Sequence, residues 1–80
     1  MSVRVRYFAA LRERIGREVD EVELVPGETL AALYARLCPT TLFDGQRLPV
    51  AYARNHAYAS GDDQPADGDE IGFLPPIGGG

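Results

Sequence analysis

The sequence contains no lysine; its eight basic residues are all arginine. The chain therefore cannot accept an isopeptide bond on a lysine of its own. It has one cysteine, Cys38, which excludes an intramolecular disulfide and fits a reducing compartment. One histidine and one cysteine, far apart in sequence, make no metal-ligand cluster. No apolar run approaches the ~18 residues that a membrane-spanning helix needs. Met1–Arg6 lacks the apolar core of a signal peptide, so the expected location is cytoplasmic. Nor is there a clustered basic face, which argues against nucleic acid as a partner.

What remains is the chemistry of a small globular domain. Eighty residues make one domain. A chain of this size buries only about 60% of its unfolded surface, so its core is thin. The net charge of −4 hides an asymmetry: residues 1–54 hold eight arginines and seven acids (+1), residues 55–80 five acids and no base (−5). An acidic face around the C-terminal segment, suited to a partner's basic cleft, is one expectation from this. Asp62-Asp63 reads as a solvated turn, and Asp67, Asp69 and Glu70 as mostly solvated.

Two periodicities organise the chain. Val3–Phe8 alternates apolar and basic residues, the pattern of a half-buried strand. Ala9–Ile15 predicts about two turns of helix, stopped by Gly16. Asp20–Val25 alternates again and ends at Pro26-Gly27; the short link predicts an antiparallel pair with the first strand. Thr29–Cys38 predicts the main helix. Leu30, Leu33, Tyr34 and Leu37 fall on one stripe, Thr29 can cap, Glu28 lies where the helix dipole favours an acid, and Pro39 ends it. Residues 40–48 read as loop, with a turn at Asp44-Gly45. Val50–Arg54 and Ala57–Ala59 are strands joined at Asn55-His56, since Asn tolerates positive φ. Ser60–Asp69 reads as loop, and Glu70–Leu74 as the final strand. This order predicts an α+β fold: a mixed sheet with one main helix packed on one face. A first strand lying beside the last would anchor the strand that precedes the C-terminal segment.

That segment is Pro75-Pro76-Ile77-Gly78-Gly79-Gly80. The prolines have fixed φ and no N–H, so they end the strand stiffly. The glycines carry no side chain, so a C-terminal carboxylate there sits on a thin thread. Ile77–Gly80 fully extended spans about 13–14 Å, enough to enter a partner's active site.

Val5–Glu13, Thr29-Leu30 with Leu33, and above all Asp67–Gly80 resemble the small-subunit family of molybdopterin synthase, whose members are ubiquitin-like β-grasp sulfur carriers. The family ends Asp-Gly-Asp-Glu-x-x-Phe-Phe-Pro-Pro-x-x-Gly-Gly, and this chain matches that spacing. Asn55 matches an asparagine the family carries near the turn between the third and fourth strands. Leu74 departs from the family's second Phe, Arg54 from its usual apolar residue, and Gly78 adds a glycine. The resemblance implies a β-grasp domain over 1–76 and a flexible tail over 77–80. It also implies a role in molybdenum cofactor biosynthesis. A ubiquitin-activating-like adenylating enzyme uses ATP to adenylate Gly80, and a sulfur donor then converts it to a thiocarboxylate. The tail enters the large synthase subunit, which forms a hetero-oligomer with this chain, and sulfur passes to a pyranopterin precursor. Gly80 and Gly79 are the reacting end; Phe73, Leu74, Pro75, Pro76, Ile77 and Gly78 are the partner-binding approach. No bound cofactor, metal or membrane is implied, and the chain is not catalytic alone, because its partners supply the base and oxyanion site.

Phe73 and Leu74 could both form an exposed docking patch, but successive strand residues face opposite ways, so one of each is expected. Cys38 and His56 read as a bystander thiol and a turn residue rather than as sulfur carrier and catalyst. Three other functions fit the same residues: a sulfur carrier of thiamine or another pathway, a ubiquitin-like protein modifier, and a plain interaction domain.

Overall fold

The computed structural model describes residues 1–76. The elements are β1 (Ser2–Tyr7), α1 (Ala9–Ile15), β2 (Val19–Glu23), α2 (Leu30–Leu37), a 3-10 turn (Thr40–Phe43), β3 (Ala51–Arg54), β4 (Ala57–Ala59) and β5 (Glu70–Leu74). The sheet order is β2-β1-β5-β3-β4. β1 and β5 pair in parallel, as Arg4↔Glu70 through Tyr7↔Phe73, and the other neighbours are antiparallel. The mixed sheet is as the sequence predicts, and the first and last strands are neighbours, the arrangement that topology favours for anchoring the last strand. β5 is hydrogen-bonded on both sides, so the strand that leads to the C-terminal residues is the middle of the sheet.

Local chemistry sets the helix ends. Gly16 closes α1 at φ 83°, a left-handed conformation that glycine takes at little cost, and its N–H donates to the Arg12 carbonyl at 2.9 Å. Thr29 Oγ1 accepts from Ala32 N at 3.1 Å, capping α2. Two more first-turn donors of α2 are satisfied from a distance: Leu30 N donates to Asp63 O and Ala31 N to Gly61 O, both at 2.9 Å. Glu28 does more than sit at the helix dipole. Its carboxylate accepts two bonds from Arg36, at 2.8 and 2.9 Å, in a forked pair. The 3-10 turn stands where a loop was expected; four residues carry too little periodicity to announce it. Arg14 lies 5.2 Å from the Phe43 ring centroid and ties this turn to α1.

The alternation of β1 decides its faces. Val3, Val5 and Tyr7 point at α2 and are buried, while Arg4, Arg6 and Phe8 point the other way. Val3, Val5, Tyr7, Leu11, Leu30, Leu33, Ile71 and Phe73 form the fully buried centre. Each fully buried Leu or Phe contributes about 1.5–3 kcal/mol of transfer free energy. Phe73 sits among three tyrosines, with ring centroids 5.1 Å from Tyr34, 6.0 Å from Tyr52 and 6.4 Å from Tyr7. Two of the tyrosine hydroxyls are satisfied at the core's edge. Tyr34 donates to the Leu48 carbonyl at 2.7 Å and Tyr7 to Asp20 at 3.3 Å. Burial, and then the Asp20 charge, push the Tyr7 phenol up to about 12.

Candidate functional site

The sequence places the function at the C-terminal segment that follows β5, and the structure sets a bare sheet face beside the end of that strand. Cross-strand register defines that face. Tyr58 is opposite Ala53, Ala53 opposite Gly72, and Gly72 opposite Arg6, so all four share the side away from α2. Phe8 and Leu74 continue the same side one step toward the end of β5. Phe8 is 39% and Tyr58 83% exposed, both high for large apolar surfaces. A hollow of about 180 Å³ opens between Phe8, Ala53, Gly72 and Leu74, with Arg6, His56 and Glu70 on its far rim. The hollow depends on glycine. A Cβ at Gly72 would lie 3.2 Å from the Phe8 ring and 3.5 Å from the Ala53 methyl, filling the space between them.

The face is graded along the strands. Toward the start of β5 it carries ion pairs, Arg6 Nε to Glu70 Oε2 at 3.2 Å and Arg4 to Glu21 at 4.0 Å, and His56 Nε2 lies 3.5 Å from the same Glu70 oxygen. Toward the end of β5 it is apolar. A partner covering this face would bury Leu74, Phe8 and Tyr58 near the C-terminal residues and meet charge farther back, the arrangement of an apolar anchor with a polar rim.

The sequence-predicted residues fall differently from one another. Phe73 has no exposed surface and belongs to the core, so it is withdrawn as a docking residue. Leu74 is half-buried on the open face, as the opposite-faces expectation required, and Pro75 is buried while Pro76 is exposed. Ile77, Gly78, Gly79 and Gly80 lie outside the described residues. Sequence reading missed Phe8, Gly72 and Tyr58. For Phe8 a signal was there, since it falls on the Arg4–Arg6 side of the alternation. For Tyr58 the signal was the two-residue turn, which fixes its pairing with Ala53.

Asp67, Asp69 and Glu70 do not surround the end of β5, as an acidic face around the C-terminal segment would require; the segment beyond Pro76 lies outside the described residues. The loop that carries Asp62, Asp63, Asp67 and Asp69 precedes β5. Only its end packs beside the start of β1, where Gly68 N donates to Ser2 O, Arg4 N to Asp69 O and Ser2 N to Asp67 Oδ1; Asp63 lies at the start of α2, its carbonyl accepting from Leu30 N. Four strand steps, roughly 13 Å, separate Glu70 from Leu74. Proximity in sequence became distance in space because an extended strand lies between.

Asp69 is not solvated either. Its side chain is 13% exposed and accepts from Arg54 Nε at 2.7 Å, Ala66 N at 2.8 Å and Asn55 Nδ2 at 3.0 Å. Burial alone would raise its pKa. The bonds from Ala66, Asn55 and Arg54 outweigh that and hold the carboxyl below its ordinary value. Asn55 completes the clamp: its side-chain oxygen accepts from Glu70 N at 2.9 Å and its N–H donates to Glu70 O at 2.7 Å. Asn55 and His56 both have positive φ, 52° and 69°, the two-residue hairpin turn in which Asn is favoured. Arg54, which departs from the family pattern, is thus the cation that pairs with Asp69. The clamp joins the β3–β4 turn to the start of β5 and so fixes the strand that leads to the C-terminal residues.

Neither titratable bystander is poised for chemistry. Cys38 is 2% exposed, and burial pushes its thiol up to about 11, so it is a thiol and not a thiolate near neutrality. His56 occupies the hairpin turn beside Glu70. Among the described residues, no group of three or more His, Cys, Asp or Glu side chains could hold a metal ion, and no helix is long and apolar enough to cross a membrane.

Comparison with known proteins agrees with this architecture. The model of the ThiS family matches residues 5–80. A relative from Chlamydomonas reinhardtii, the molybdopterin synthase sulfur carrier subunit, is 32% identical over 83 aligned positions that cover all of both chains. Among solved structures, SAMP1 of Haloferax volcanii superimposes with a TM-score of 0.76 at 26% identity, over all of both chains. A complex of subunits 1 and 2 of the molybdopterin-converting factor of Helicobacter pylori contains a chain matching with a TM-score of 0.62 at 29% identity, again over all of both chains. The architecture is the ubiquitin-like β-grasp.

Proposed function

Because this chain belongs to the ThiS family, we propose that it is the sulfur-carrying small subunit of a molybdopterin synthase, with the Gly80 carboxylate as the carrying group. One observation supports this most directly. The central strand of the sheet, clamped at its start and paired on both sides, leads to the C-terminal glycines beside a bare apolar face. The carrier needs those features: a rigid body, a docking face and a slender reactive end. The relative that names a sulfur carrier subunit spans the same length, and the Helicobacter pylori neighbour is a complex with a second subunit.

The chemistry follows from the carboxylate. It is a poor electrophile until one oxygen becomes a leaving group. A carboxylate oxygen attacks the α-phosphorus of ATP, pyrophosphate departs, and an acyl-adenylate forms. Sulfide-level sulfur then attacks the acyl carbon, the bond to AMP breaks and AMP leaves, giving the thiocarboxylate. In the synthase, that sulfur passes to a pyranopterin precursor. Gly79 and Gly80 let the carbonyl through a narrow channel without side-chain clash. The adenylating enzyme and the large subunit supply the acid–base and oxyanion groups.

The likeness to SAMP1, a small archaeal modifier protein, favours a second reading, in which an amine of another protein replaces sulfur as the attacking group. The intact mass of the protein from its native host separates the two. Sulfur in place of one oxygen at the C-terminus is expected; adducts to other proteins with no thiocarboxylate would replace the carrier reading with the modifier one. A chain extended by one residue after Gly80 places its carboxylate about 3.3–3.6 Å farther on. It is expected to bind the large subunit within about tenfold of the parent yet support no ATP–pyrophosphate exchange. Undiminished exchange would show that activation does not require Gly80 as the last residue.

A further inference from the structure

Gly72 has no backbone reason to be glycine. Gly16, Gly27, Gly45 and Gly68 take positive φ, but Gly72 does not. It lies in the middle of β5, paired with Arg6 on one side and Ala53 on the other. Glycine weakens a strand interior, because it is costly to order and has no side chain to pack. Nor does the core forbid a side chain here. Its neighbours Ile71 and Phe73 are fully buried on the α2 side, and Gly72 faces the other way. A Cβ on Gly72 would meet the Phe8 ring at 3.2 Å, the Ala53 methyl at 3.5 Å and Leu74 Cδ1 at 3.6 Å. Only the first contact is tight, and Phe8, 39% exposed, has room to give way by a few tenths of an ångström. The fold therefore accepts alanine at this position. What alanine would take away is the hollow.

The hollow selects its occupant by size and polarity. Its volume is about 180 Å³, against the roughly 150 Å³ of an apolar cavity that holds one benzene. That is room for one side chain of leucine to phenylalanine size. The backbone of Gly72 is engaged in the ladders on both sides. Phe8, Ala53 and Leu74 add only carbon. A polar side chain entering here would lose its water and find no partner on the floor. The charges at the rim are already set against each other, Arg6 Nε on Glu70 Oε2 at 3.2 Å. The occupant is therefore apolar. Its source follows from the chain: Leu74, one wall of the hollow, is two residues from Pro76, at most about 7 Å along the backbone. A subunit that receives the residues after Pro76 closes beside this hollow.

We infer that Gly72 is a specificity-determining residue: the hollow it leaves seats one apolar side chain of the large synthase subunit, of leucine to phenylalanine size. This rests on the sulfur-carrier reading above, which supplies that subunit. A side chain seated between Phe8, Ala53 and Leu74 fixes the register of the open face against its partner. It also disfavours partners that present a charge at that point.

Binding of the full chain to its large subunit is measured by titration calorimetry for the parent, Gly72→Ala and Gly72→Val, with urea midpoints alongside. Gly72→Ala is expected to match or exceed the parental midpoint and to bind about tenfold more weakly or worse, the effect of one misplaced methylene in an apolar pocket. Gly72→Val is expected to bind more weakly again. Apolar residues of the large subunit are then replaced singly by alanine and titrated against the parent and Gly72→Ala. One replacement is expected to weaken parental binding by about tenfold and to leave Gly72→Ala binding unchanged, because its seat is already gone. Parental affinity in Gly72→Ala, or no replacement that couples to it, would overturn the inference. A lowered midpoint in Gly72→Ala would return the glycine to the fold and overturn it too. So would sedimentation showing that parent chains self-associate and Gly72→Ala chains do not, since the occupant would then be a second copy. A parent that binds no large subunit would remove the sulfur-carrier reading as well, whereas failure at Gly72 alone leaves that reading standing.

Discussion

Phe73 and Leu74 are adjacent on one strand and lead different lives. Phe73 is enclosed by Tyr7, Tyr34 and Tyr52 and shows no surface. Leu74 lies on the bare face beside Phe8 and Ala53. The α2 side of the sheet stores stability. The open side leaves apolar area in water, which a small domain would otherwise minimise. The same backbone supplies both because strand side chains alternate, so one residue step separates holding the fold from meeting a partner.

The contrast breaks hardest at the core. Phe73→Ala is expected to cost about 3–5 kcal/mol, from lost burial and the cavity left among the tyrosines. Urea denaturation reads this directly, and an unchanged midpoint would mean that Phe73 does not anchor the fold.

The clamp comes next. Asp69→Asn removes a charged acceptor from three donors and is expected to cost about 1–3 kcal/mol at neutral pH. The folded-state pKa of Asp69 is depressed, so its contribution is fully present above the unfolded value of about 3.9 and is lost as pH falls through the lower folded value. Parent and variant should therefore converge in thermal midpoint in acid. A gap that stays constant down to the acid limit would show that the charge of Asp69 contributes nothing.

Leu74→Ser should cost under about 1 kcal/mol of stability and weaken binding to the large synthase subunit by more than about tenfold. Binding at parental affinity would remove the open face from the interface. The smallest effect on stability is expected from deleting Gly79 and Gly80, which should leave the thermal midpoint nearly unchanged while abolishing thiocarboxylate formation. A truncated protein that still supports molybdopterin formation would refute the proposed chemistry.

Much of this was legible locally. The α1 boundaries, the Gly16 stop, the Thr29 cap, the α2 stripe and the Asn55-His56 turn follow from interactions within a few residues, and those the sequence states outright. The Asp67–Gly80 spacing carried the family likeness in the same way. The 3-10 turn escaped because four residues hold no readable period. Arg54 reads as an anomaly until Asp69, fifteen positions on, is seen against it.

The sequence alone determined the strand and helix segments, the absence of lysine, and the glycine end, because periodicity and composition are properties of neighbouring residues. Tertiary structure decided the rest. The parallel pairing of β1 with β5 set Asp67, Asp69 and Glu70 at the opposite end of the sheet from the close of β5. The position of α2 chose which face of β5 is core, making Phe73 the anchor and Leu74 the surface. Alternation says only that the two residues differ; which side is covered depends on where the helix lands, and that is settled by contacts between segments far apart in the chain.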